Sequence, residues 1–135
     1  FILSILIASC SSSTLKSSLK MKEKPIVIAN DSLEYEIIIF DIGFTLYLNS
    51  VARPMNYYSQ NYLENKNNIY VTNWNIRALN PSRFDSSIFE NVIEYNPQVN
   101  YGLEVNYKLF NYFQFAQQKY KIRLDGGSGP PMKIR

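Results

Sequence analysis

Carboxylates are the side chains of this sequence best suited to acid–base chemistry, because the chain has no histidine and a single cysteine. Glu34 and Glu36 alternate within one predicted strand, and Glu90 and Glu94 lie within another, so each pair shares a strand face. A glycoside hydrolase needs two carboxylates roughly 5–10 Å apart, which such a pair can meet. Charges on the solvent face of a strand are far commoner, and we therefore predict no catalytic residue. The missing histidine excludes His-based triads and His-containing metal sites, and we expect no metal and no cofactor.

A second set of side chains combines aromatic rings with charges around the start of a predicted long helix. The set consists of Arg53, Tyr57, Tyr58, Tyr62, Glu64, Trp74 and Arg77. Together they could form a surface that stacks on sugars or binds a peptide. The structural alternative, which we prefer, has the rings packing the core and the arginines satisfying carboxylates or helix-end carbonyls.

The basic residues concentrate at the two ends of the chain. The net charge is +3, but residues 26–125 carry slightly more acidic than basic side chains, and the excess lies in residues 11–25 and 126–135. A nucleic-acid-binding domain would place its Lys and Arg on a folded face. We therefore expect no nucleic-acid partner.

The first nine residues resemble the end of a lipoprotein signal peptide. They are apolar but too short to cross a bilayer, which needs about 20 apolar residues. They lead into Ile7-Ala8-Ser9-Cys10, which resembles the lipobox cleaved by the lipoprotein signal peptidase. We expect removal of residues 1–9 and lipidation of Cys10; the alternative is an ordinary secretory signal with a spare thiol. Because Phe1 begins the chain with no basic segment before it, we expect a few preceding residues.

The lipidated cysteine predicts where the protein resides. Two or three acyl chains on Cys10 would attach it to a membrane permanently, whereas one chain binds only reversibly. Ser11 favours the outer membrane, facing the periplasm. Residues 10–25 predict a flexible Ser/Lys tether, residues 26–124 a single globular domain, and residues 125–135 a disordered Gly/Pro tail.

The hydrophobic periodicity predicts an α+β fold, with a small antiparallel sheet of two to three strands packed against two main helices. Strands are predicted at 33–41 and 88–95. A third is predicted at 119–124, where the preceding helix could instead continue. In that third strand Lys119, Lys121 and Arg123 would face Glu34 and Glu36.

The helices follow from apolar spacing and from stop signals. A short helical turn is predicted at 44–48, and residues 57–79 predict one long helix or two short ones divided at Asn67-Asn68. Residues 100–117 predict the central helix, because apolar side chains surround it nearly completely. Glu104 and Lys108 should form an i,i+4 ion pair on it.

Three stretches of the domain resemble an uncharacterised family of small bacterial lipoproteins that is known only as a domain of unknown function. They are Arg53-Pro54 with Tyr57-Tyr58-Ser59 and Tyr62-Leu63-Glu64, Trp74-Asn75 with Arg77, and Tyr95-Asn96-Pro97 leading to Tyr101-Gly102, Glu104-Val105-Asn106 and Tyr112-Phe113. The resemblance covers about Pro25 to Phe115. It implies a lipoprotein of the cell envelope but supplies no activity, ligand or catalytic residue.

Three functions are therefore considered. The first is a non-catalytic, lipid-anchored envelope protein that binds another envelope protein or cell-wall glycan, and the second is a small carboxylate-dependent hydrolase of glycans. The third is a structural spacer. A deep cleft converging on Glu34, Glu36 or Glu90 would favour the enzyme, a flat aromatic patch would favour binding, and a spacer predicts neither.

Overall fold

A computed structural model describes residues 24–127 and confirms the α+β class. Helices pack against a two-stranded antiparallel sheet. In chain order the main elements are β1 (Ile26–Asn30), β2 (Tyr35–Ile39), α1 (Phe44–Ser50), α2 (Gln60–Ala78) and α3 (Leu103–Tyr120). Short 3-10 turns at Asp31–Leu33 and Met55–Tyr57 connect some of them.

The sheet pairs β1 with β2 in a register that puts isoleucines on its inner face. Ile26 lies opposite Ile39 and Ile28 opposite Ile37, and α3 packs against β1.

The strand predicted at 33–41 is confirmed over the shorter range of β2. The sequence reasoning missed β1, because its five residues directly follow the predicted tether and show little alternation.

Helix α3 forms the centre of the core, as its nearly continuous apolar surface predicted. Leu109, Phe113 and Ala116 are completely buried, and α1, α2 and β1 pack around the helix. Its ion pair between Glu104 and Lys108 is present, with 2.7 Å between the charged atoms. The position of α3 therefore fixes where α1, α2 and β1 can bury their apolar faces.

Helix α2 runs without a break through the Asn67-Asn68 pair. Asn67 is completely buried, and its Nδ2 donates to the carbonyl oxygen of Asn106 at 2.9 Å and to Asn106 Oδ1 at 3.1 Å. These hydrogen bonds to α3 stabilise α2 at a position where the intrinsic helix propensity is weak. The helix begins at Gln60, where the Ser59 hydroxyl caps it by accepting from the Tyr62 amide at 3.2 Å.

Of the three strands predicted from the sequence, only the first is present within residues 24–127, as β2. The strands predicted at 88–95 and 119–124 are absent from the described structure. Residues 88–95 are irregular, because no strand in the described part of the chain pairs with them and the amides of Ile88 and Phe89 bond only locally, to the Asp85 carbonyl. Residues 119–124 form no strand, because α3 continues to Tyr120 and Lys121 ends it in a left-handed conformation, at φ 54°.

The cations of that third predicted strand consequently do not face the carboxylates of β2. Lys119 pairs with Asp41, and Arg123 pairs with Asp125 at 2.7 Å. Leu124 is buried, and its amide donates to Gln117 Oε1 at 2.8 Å, so residues 122–124 close the end of the core.

None of the helices within residues 24–127 is both long and apolar enough to cross a membrane. Cys10, the leading apolar stretch and residues 128–135 lie outside the described residues.

Candidate functional site

A groove of about 700 Å³ separates β2 from the chain segment at residues 87–94, which we call the groove wall. Trp74 of α2 and Tyr112 of α3 also line the groove. Its volume lies within the range of ordinary ligand sites. The residues lining the β2 side run without interruption from Glu34 to Asp41, so the edge of the strand, rather than one face of it, borders the groove.

The β2 edge exposes main-chain hydrogen-bonding groups to the groove. β1 pairs with one edge of β2, and the described residues contain no further strand. In an antiparallel pair, alternate residues direct their N–H and C=O groups away from the partner. No main-chain hydrogen bond joins β2 to the groove wall among residues 24–127. The groove is therefore bordered by an open strand edge.

Two consecutive residues of α2 hold the groove wall in place. Asn75 Nδ2 donates to the Ile93 carbonyl at 2.9 Å, and Asn75 Oδ1 accepts from the Ile93 amide at 2.8 Å. Trp74 Nε1 donates to the Asn91 carbonyl at 2.9 Å. These side chains take the place of a neighbouring strand on that side of the wall.

One end of the groove contains a partly buried cluster of polar side chains around Asp41. The Tyr120 hydroxyl donates to Asp41 Oδ2 at 2.7 Å, and Lys119 forms an ion pair with Asp41 Oδ1. Burial raises the pKa of both Tyr112 and Tyr120, and the neighbouring Asp41 and Glu90 raise the pKa of each further. Both phenols are therefore neutral at physiological pH.

A group of tyrosines closes the other end. The Tyr35 hydroxyl donates to the Glu94 carbonyl at 2.7 Å, and its ring lies 4.3 Å from that of Tyr101. The Tyr95 ring stacks on Tyr101 at 5.1 Å. Burial, followed by the charge of Glu64, raises the pKa of Tyr95 to about 12.

The contacts at the two ends give the direction of the groove wall. Glu94 lies near Tyr35 and Glu90 lies near the Asp41 end, so the groove wall runs antiparallel to β2.

The groove is electronegative. Glu34, Glu36, Glu90 and Glu94 line it and are exposed, and none forms an ion pair with a described residue. No Lys or Arg between residues 24 and 127 lines the groove. Within residues 24–127, no three acidic side chains lie close enough to hold a metal ion, so the carboxylates are distributed along the groove. This arrangement suits an extended cationic ligand.

A family model described as a family of unknown function (DUF6146) matches residues 1–130. The chain belongs to this family. The match extends beyond the resemblance noted from Pro25 to Phe115 and includes the leading apolar stretch and Cys10. Membership in DUF6146 supplies no activity or ligand, and neither a curated protein nor a solved structure matches the chain.

The aromatic set named from the sequence divides into two parts. Four of its members form a contact series at the surface, in which Arg53 lies 4.4 Å from the Tyr57 ring centre and Tyr57 packs edge-on to Tyr58. Tyr62 then stacks on Tyr58, with the two ring centres 4.9 Å apart. Tyr57 and Tyr62 are exposed, so this series is an aromatic patch.

The other three members have different neighbours. Trp74 is buried and borders the groove, and the Arg77 guanidinium donates to the Arg123 carbonyl and lies over the Phe84 and Phe89 rings. Glu64 accepts from Gln60 Nε2 at 2.8 Å.

The sequence reasoning named the carboxylates of the groove but missed the residues that close its ends. Asp41, Tyr112 and Tyr120 were not predicted as site residues, because Asp41 lies far along the chain from the two tyrosines, which both belong to α3. The signal available for Asp41 was its position at the end of the apolar strand predicted at 33–41, where the chain leaves the sheet.

Proposed function

We propose that this DUF6146 protein is a lipid-anchored, non-catalytic binding module of the cell envelope. Its groove holds an extended segment of another envelope protein. The observation that carries the proposal is the groove itself, which combines an open strand edge with four carboxylates that have no described ion-pair partner. We place the protein at the outer membrane, facing the periplasm.

The anchor rests on the sequence around Cys10. Ile7-Ala8-Ser9-Cys10 has the aliphatic, small, small, Cys order of a lipobox, and the only cysteine of the chain ends the apolar stretch. If residues 10–25 form the flexible tether that their composition predicts, the tether would reach about 20 Å on average. The groove would then lie within reach of partners near the membrane surface.

Fatty-acid labelling in cells tests the anchor. The wild-type protein should incorporate labelled palmitate and fractionate with membranes, and Cys10→Ala should do neither. Ser11→Ala, one residue further on, is the matched control and should stay labelled. Labelling of the Cys10→Ala protein, or a mature wild-type cysteine without acyl chains in mass spectrometry, would refute the anchor.

Photo-crosslinking in intact cells tests the binding function of the groove. Val92 lines the groove and is 48% exposed, whereas Ile76 lies on α2 outside it and is 52% exposed. A photoreactive residue at position 92 should capture one protein that position 76 does not. Equal capture at both positions, or capture at neither, would contradict binding in the groove.

Glycan hydrolysis is the second candidate, because Glu34, Glu36 and Glu90 line the same groove. All three are exposed, however, whereas the acid of a glycosidase is held in an apolar environment that keeps it protonated. Incubation of the purified protein with cell-wall glycan should release no fragments. Release that disappears in Glu90→Gln would establish the hydrolase instead.

A further inference from the structure

We propose that the groove binds its partner by strand addition, with a basic, extended peptide segment inserted between β2 and the groove wall. The inference rests on the proposed binding function and specifies the chemistry of its ligand. The inserted segment would lie between β2 and the groove wall, and it would extend the sheet to the order β1, β2, inserted segment, groove wall.

The main chain of β2 has an edge at which an added strand can form hydrogen bonds. β2 has five residues, about 17 Å of strand, and only β1 pairs with it in the described part of the chain. Open edges of this kind are where extended peptides add to a sheet, with affinity supplied by main-chain hydrogen bonds.

The groove wall has the complementary arrangement. The main-chain groups of Asn91 and Ile93 are bonded to α2, on one side of the wall. The carbonyl of Glu94 points the other way and accepts from Tyr35 across the groove. Main-chain groups that alternate between two sides are the pattern of a strand. The strand-like sequence of 88–95 thus lacks a ladder because its neighbour across the groove is absent from the chain between residues 24 and 127.

The side chains on the exposed face specify the ligand. At one end Glu34 and Glu36 flank Tyr35 in the sequence, and the Glu94 main chain accepts from the Tyr35 hydroxyl; at the other end Glu90 lies near the Asp41 cluster. Between them are Ile38, which is 47% exposed, and Val92. Every second residue of the peptide would point outward, and we expect these outward residues to be a cation, an apolar residue and a cation, in that order. Its inward-pointing residues would contact Trp74 and Tyr112, so apolar side chains suit those positions.

A designed peptide tests this specification. The probe is Ser-Lys-Ile-Val-Ile-Lys-Ser with blocked ends, titrated against the purified full chain with Trp74 fluorescence as the signal. The same peptide with Glu in place of both Lys should not bind. The same peptide with N-methyl groups on the alternate residues that face β2 keeps its charges but cannot pair with the strand edge, and it should also fail to bind.

Carboxylate variants test the charge pattern. The double variant Glu34→Gln/Glu94→Gln should weaken binding of the lysine peptide roughly three- to tenfold and reduce its salt dependence, the range expected for two solvent-exposed charge pairs. Glu104→Gln, which removes an exposed carboxylate outside the groove, should leave the affinity unchanged. Equal effects of the two changes would overturn the charge assignment.

Hydrogen exchange identifies the pairing directly. Bound peptide should slow exchange at alternate amides of β2 and of the groove wall. Equal binding of the N-methylated peptide would overturn strand addition while leaving groove binding intact. Binding of a peptidoglycan fragment, with no peptide binding, would overturn both. If the same amides are already protected in the free protein, the basic ends of this chain or a second copy occupy the groove, and the assignment to a partner falls.

Discussion

Replacing Asn75 by alanine is the sharpest test of how the groove wall is held. The two bonds between Asn75 and Ile93 are the only described hydrogen bonds of the Ile93 main chain. Each such bond contributes about 0.5–1.5 kcal/mol. Asn75→Ala should therefore lower the free energy of unfolding by about 1–3 kcal/mol. Because Asn75 is half-buried, water can replace part of the lost hydrogen bonding. The expected decrease in the free energy of unfolding is therefore about 2 kcal/mol.

The matched control is Asn68→Ala on the same helix. Asn68 is exposed, and its side chain makes no hydrogen bond to a described residue. This control measures the gain in helix propensity that both changes share, at most about 0.7 kcal/mol. The stability difference between the two variants then reports the bonds to Ile93.

Urea unfolding followed by circular dichroism measures that difference. With an m-value of about 2 kcal/mol/M, the midpoint of Asn75→Ala should lie roughly 1 M below that of Asn68→Ala. Exchange of the Ile93 amide should also accelerate by roughly three- to tenfold or more, because its acceptor is gone. Equal midpoints together with unchanged exchange at Ile93 would refute the view that α2 holds the wall.

Three further predictions concern conformation and ionisation. Gly43→Ala should lower the free energy of unfolding by about 1–2 kcal/mol in the same urea assay, because the residue has φ +93°; an unchanged midpoint would contradict this. Asp41→Asn should lower the pKa of Tyr120 and Tyr112 in a tyrosinate absorbance titration, since burial and Glu90 would still raise the pKa of each but the Asp41 charge would not; no change would show that Asp41 does not act on them. The raised pKa of Tyr95 contributes stability that is fully present below pH 10 and is lost as the pH rises to about 12, so unfolding should become easier over that window. Tyr95→Phe should make that decline shallower, and an equally steep decline would contradict the assignment.

The elements that local periodicity encodes could be predicted. Helix α3 follows from apolar residues that surround it, and β2 follows from its run of isoleucines between polar turns. The i,i+4 pair of Glu104 and Lys108 also follows from spacing alone. Each depends on neighbours within one or two turns of chain, which is information that the sequence displays directly.

The elements that depend on distant partners could not be predicted. The strand-like pattern of 88–95 remains irregular because strand structure requires a second main chain, and α2 offers side chains instead. The weak helix former Asn67 remains helical because Asn106, far away in the sequence, accepts its hydrogen bonds. In both places tertiary contacts outweigh local preference.

The candidate site shows the same division. The sequence by itself determined which carboxylates lie along which segment. The predicted shared faces did not follow, because Glu34 precedes β2 in a left-handed conformation, at φ 52°, and residues 88–95 form no strand. Only the tertiary structure decided that these segments border one groove, because α3 fixes the position of the sheet and α2 fixes the position of the groove wall. The sequence gives the identity and order of the side chains directly. The distance between two segments depends instead on the helices that pack against each of them.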